Sequence, residues 1–72
     1  MTHIYTIFDS DNRHIGQTPI RNQAVEAAAG YAKHTNCVMF VEQKRLNDGE
    51  TRRVQFNPNG TRVQLWKISK VQ

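Results

Sequence analysis

The chain is short of nearly everything that enzymes, secreted scaffolds and membrane proteins are built from. It has one cysteine in 72 residues, so no intramolecular disulfide can form and a disulfide-stapled secreted fold is excluded. It has two prolines and four glycines, and no glycine-rich phosphate loop among them. No apolar run is long enough to cross a bilayer, and Met1–Phe8 is too short and too polar to serve as a signal peptide. The three histidines (His3, His14, His34) and Cys37 fit no recognised ligand spacing, and a structural zinc site wants four ligands. Neither a metal nor a cofactor is expected. Acidic residues are few, six against ten Lys and Arg, and no carboxylate pair marks a cleft. A single domain this small has little room for a deep pocket. These absences exclude most catalytic designs and point to a non-enzymatic protein that works through its surface.

What is present is charge, unevenly placed. Residues 44–72 hold seven Lys and Arg against Asp48 and Glu50, a net of +5, whereas residues 1–43 net −1. The basic residues coincide with the clearest structural signal. Val54 and Phe56, then Val63 and Leu65, alternate with polar residues at the period of a half-buried strand. Between them lies Asn57-Pro58-Asn59-Gly60, with Pro58 pre-set for the first central position of a type I turn and Gly60 suited to the positive φ that follows. Asn59-Gly60-Thr61 also matches a glycosylation acceptor, and we read it as turn chemistry. Arg52, Gln55, Arg62, Gln64 and Lys67 are expected to form one positive stripe on this hairpin, joined by Lys44, Arg45, Arg53 and Trp66 as the partner-binding set. A three-residue loop would put Val54 and Phe56 on the face of Trp66 and Ile68; a four-residue loop would put them with Val63 and Leu65. Tryptophan is mostly buried in proteins, which favours Trp66 in the core. If Trp66 or Tyr5 is instead exposed, a base can stack there.

The remaining elements follow in order. His3–Phe8 is a strand, closed by turn residues at Asp9–Asn12. The Asp-x-Asp-Asn run has the first ligands of a calcium loop but neither the glycine at its sixth position nor the glutamate at its twelfth, so it is a turn. Arg13–Gln17 reads as a short return strand. Thr18, or else Asn22, is the expected helix cap, and Gln23–His34 the helix, with Asn36 in the left-handed position that ends it. Val25, Ala28, Ala29 and Ala32 form one apolar stripe; Ala24, Ala27, Ala28 and Tyr31 form another. Gly30 in mid-helix suggests a tightly packed neighbour. Cys37, preceding the apolar Val38–Val41, is expected to be buried. Val38–Val41 should be the central strand, and Asn47-Asp48-Gly49 a hairpin turn. The fold class is α+β: an antiparallel sheet of three to four strands with one helix on one face, in the order β-α-β-β-β, with the short strand after the first as an addition.

This layout resembles the small phage-encoded anti-CRISPR proteins. The residues that carry the resemblance are the Ile4-Tyr5-Thr6-Ile7 strand, the Ala/Lys helix Gln23–His34, Asn36-Cys37 at the helix end, Val38-Met39, the Asn59-Gly60 turn, and Arg62 and Trp66 beyond it. One type I-F inhibitor family is the most similar, with no diagnostic motif shared. The resemblance implies a protein of the host cytoplasm that docks on a crRNA-guided surveillance complex and interferes with its DNA binding. It assigns no functional residues. The layout is also similar to dodecins, whose oligomers bind flavin, but the Asp9–Asn12 turn and the basic charge depart from that pattern. The expected partners are therefore protein subunits of a nucleic-acid-handling complex. A module binding DNA or RNA directly and a structural protein forming a small homo-oligomer are the alternatives to a monomeric inhibitor, and no membrane is involved.

Overall fold

Six elements follow one another in the computed structural model, which describes residues 2–68, with the backbone alone for 65–68. They are β1 (His3–Phe8), β2 (His14–Thr18), α1 (Arg21–Thr35), β3 (Met39–Arg45), β4 (Thr51–Phe56) and β5 (Arg62–Ile68). The strands form one antiparallel sheet in the order β2-β1-β3-β4-β5. The expected three to four strands are thus five, because the return segment after the first turn is a full edge strand. The run at residues 38–41 supplies the central strand, as its two-sided apolar character demands.

Local chemistry accounts for the turns. Asp9 Oδ1 accepts the N–H groups of Asp11 and Arg13 at 2.9 and 2.8 Å, which folds the β1–β2 connection around one carboxylate. At the β4–β5 turn Gly60 N–H donates to the Asn57 carbonyl at 3.0 Å, and Gly60 takes φ 94°. Asn57 pairs with Thr61, so the loop is the three-residue form, a type I turn closed by a glycine at positive φ. The β3–β4 loop turns on Gly49 at φ 76°.

The helix begins differently from expectation. Its N-cap is Ile20, in extended conformation and with no side-chain cap bond. Thr18 lies two residues earlier, where its hydroxyl accepts the Ile20 N–H and donates to Gln23 Oε1. Asn22 is inside the helix. The C-terminal end matches its sequence signal. Asn36 sits at φ 56° and ψ 38°, and the N–H groups of Asn36 and Cys37 both reach the Ala32 carbonyl, which satisfies one of the otherwise orphaned helix-end acceptors.

The core lies between α1 and the sheet. Ala24, Ala28 and Ala32, one turn apart, are fully buried against Tyr5, Ile7, Met39, Val41 and Phe56. This stripe takes its members from both of the expected ones. Val25 and Ala27 are half-buried at its margins, while Ala29 and Tyr31 are exposed. An alanine face lets the helix lie close to the strands. Two expectations fail. Nothing lies within 4 Å of a Cβ built on Gly30, so no neighbour requires that glycine. Cys37 is exposed, because the left-handed residue before it turns the chain out of the helix before the sheet begins; its Sγ donates to the Thr35 carbonyl at 3.4 Å.

Candidate functional site

Strand periodicity decides where the basic residues go, since neighbours two apart share a face and directly paired residues share it too. Arg45 pairs with His3, Arg52 with Gln43, Val54 with Gln64 and Phe56 with Arg62; these belong to the helix side of the sheet with Tyr5, Met39 and Val41. Lys44 pairs with Ile4, Arg53 with Glu42 and Gln55 with Phe40, on the open side. The single stripe expected from Arg52, Gln55, Arg62, Gln64 and Lys67 is therefore divided, with Gln55 on the opposite face. An odd separation from 52 to 55 along one strand makes that unavoidable.

The last strand shifts its register, which keeps Lys67 on the face of Arg52. Its register runs Val54 opposite Gln64 but Arg53 opposite Trp66, so residue 65 is the extra residue of a β-bulge. Beyond the bulge Lys67 stands opposite Arg52. The simple alternation that would have put Trp66 in line with Val54 and Phe56 is interrupted. The expected burial of the Trp66 side chain falls outside the described residues.

Part of the basic charge is already matched. Arg45 contacts Asp48 Oδ2 at 2.9 Å and Glu50 Oε1 at 3.0 Å, and Arg52 lies 3.7 Å from Glu50. Both acids of the C-terminal half are thus spent on two of its arginines. The Glu50 backbone N–H donates to Asp48 Oδ1 at 3.0 Å, and with Arg45 it holds the Asp48 carboxyl below its ordinary pKa. On the open face the Arg53 guanidinium lies over the rings of Phe8 and Phe40, at 4.9 and 5.1 Å from their centroids, and donates to Asn12 Oδ1 at 2.7 Å. It joins β1, β3 and the Asp9–Asn12 turn, and covers two aromatic rings of the open face among the described residues. Tyr5, the other candidate stacking ring, is buried on the helix side.

The remaining arrangement is a groove that sequence reasoning did not single out. The helix packs mainly on β3, then on β1 and β2, and reaches only the margin of β4. Beside it, among the described residues, no element packs over the helix side of β5. Val25 from the helix flank and Val54 and Phe56 from β4 give the resulting groove an apolar lining; Gln43, Arg21 and Arg62 supply its polar groups. Arg62 also lies over the Phe56 ring at 5.4 Å. Among the described residues neither Arg21 nor Arg62 has a carboxylate at salt-bridge distance. The groove holds only about 60 Å³ of enclosed space, far below the several hundred Å³ of a small-molecule pocket. It combines an apolar lining with forked cations beside it. The described residues contain no cluster of three His, Cys, Asp or Glu able to hold a metal, and no helix among them is long and apolar enough to cross a membrane.

Comparison with known proteins finds no match, whether with a family model, a curated protein or a solved structure.

Proposed function

We propose that this is a non-enzymatic docking protein that seats the groove side of its C-terminal hairpin on an acidic protein face. The target is a subunit of a nucleic-acid-handling complex. One observation carries the reading: Arg21 and Arg62 line an apolar groove with no carboxylate of the described residues to neutralise them. Cations so placed reward a partner that brings both carboxylates and apolar area, which gives orientation as well as attraction. The crRNA-guided surveillance complex is the specific target that the layout implies, with interference in its DNA binding as the outcome.

The test is retention of a tagged protein's targets from a bacterial lysate, with and without nuclease, for the native chain and for Arg62→Glu. Stoichiometric recovery of a multi-subunit ribonucleoprotein that survives nuclease and is lost in Arg62→Glu supports docking. Equal recovery by both chains refutes it. The open face favours a second reading, direct binding of nucleic acid, because Phe8 and Phe40 lie there beside Arg53. A base would have to displace the Arg53 guanidinium to reach those rings, so we rank this reading second. It requires affinity for naked oligonucleotides that falls steeply with salt, roughly one power of salt concentration per phosphate contact.

A further inference from the structure

The groove also has a shape, and the shape names the form of its occupant. Five strands at about 4.8 Å spacing make a sheet roughly 19 Å wide, while one α-helix covers about 10 Å. The single helix α1 accounts for the β1–β3 side and stops at the margin of β4. Among the described residues, the layer it occupies holds no element over β5 and only the flank of α1 over β4. Its flank toward this space is small and apolar: Val25 lines the groove, and Ala29, one turn along, is exposed. Such a flank permits a second helix to approach within the usual 8–10 Å of interaxial distance.

We propose that the groove receives an acidic amphipathic helix from the partner, lying beside α1 on β4–β5. This rests on the docking reading and specifies the partner's contact element. An extended segment laid across Val54 and Phe56 would leave backbone N–H and C=O groups facing an apolar surface without partners. A helix satisfies them internally and offers one apolar stripe. Three turns of helix span about 16 Å, within the roughly 20 Å of the six-residue strand β4. The stripe packs on the half-buried Val25 and Val54, beside the margin of Phe56, and carboxylates flanking it reach Arg21 and Arg62.

The probe is a synthetic helix of roughly 15 residues with a leucine stripe flanked by glutamates. Two controls accompany it: the same stripe flanked by lysines, and the glutamate peptide broken by a central proline. Amide shifts in the full chain report the site. The glutamate helix should perturb Val25, Val54 and Phe56, and the Arg21→Glu/Arg62→Glu double variant should weaken it about tenfold or more. That variant should then bind the lysine helix, a swap that a merely destabilised protein would not show. Several results overturn the proposal. These are no binding by either helix, equal binding of both, binding undiminished by the proline, shifts confined to the open face or β2, and a groove already filled by a second copy at working concentration. If charge reversal abolishes target recovery while no peptide binds, the helix is wrong and docking stands. If the peptides behave as expected but Arg62→Glu still recovers the complex, docking on that complex is wrong and the helix site stands.

Discussion

The two halves of the helix side of this sheet are built from the same kind of strand and finished in opposite ways. Over β1 and β3 the alanine stripe of α1 closes down on Tyr5, Ile7, Met39 and Val41, leaving Ala24, Ala28 and Ala32 fully buried. Over β5 nothing in the described chain closes down, α1 reaches β4 only at its near margin, and arginines stand where a covering element would be. The covered half produces stability; the bare half retains apolar area and charge for something else.

The comparison can be broken most forcefully at its seam. Phe56 is 5% exposed yet also lines the groove, so it serves both halves. Phe56→Ala should cost about 3 kcal/mol or more, enough to leave a large unfolded fraction in urea titration at low denaturant. A loss below 1 kcal/mol would place the core elsewhere. Ala28→Leu tests the covered half alone. The position has no exposed surface, and the added carbons must lift the helix, at a cost of about 1–3 kcal/mol; a neutral result would mean that the helix does not lie as close as described. Gly30→Ala, on the exposed side of the same helix, should stabilise by about 1 kcal/mol, readable as a rise of several degrees in Tm. In the bare half, Arg62→Glu should change stability by less than about 0.5 kcal/mol while removing target recovery. A large destabilisation would make Arg62 a structural residue.

The smallest effect is one of pH. The Asp48 carboxyl is held below its ordinary value of 3.8 first by the Glu50 N–H and then by Arg45. Its contribution is present above the unfolded value and is lost as the pH falls through the lower folded one. Asp48→Asn should therefore lower stability slightly at neutral pH, where the contribution is present, and converge with the native chain in acid, which flattens the limb below about pH 4; an unaltered limb would show that other carboxylates set it.

Local signals were legible wherever one residue's conformation decided the matter. Asn36 ends the helix at positive φ, Gly60 closes its turn, and the apolar run at residues 38–41 supplies the central strand, all as their chemistry requires. Where two partly independent signals competed, reading failed. Thr18 looked like the cap because threonines cap helices, but its hydroxyl serves a turn two residues early. Cys37 looked buried because the run after it is buried. The division of the basic residues between faces was legible in principle from the odd spacing of Arg52 and Gln55. The bulge at residue 65 was not, because it is a property of the pairing. The groove was invisible for a related reason: Arg21, Val25, Gln43 and Phe56 come from three elements, and only the lateral placement of α1 brings them together. The start of the helix offered one clue, an arginine in its first turn with no acid to accompany it.

The strand order carries a consequence for how the chain reaches this state. β3, β4 and β5 form a meander whose partners are separated by short turns, so each can zip onto the last soon after it is made. β1 is different. Its second neighbour, β3, lies beyond the whole of β2 and α1, and joining them closes a loop of some thirty residues. During synthesis β1 emerges first and has to wait. β2 pairs with one of its edges in the interval, across the tight Asp9–Asn12 turn, leaving a single edge exposed until β3 arrives. The modest edge strand thus acts as a folding-time guard on the element beside it.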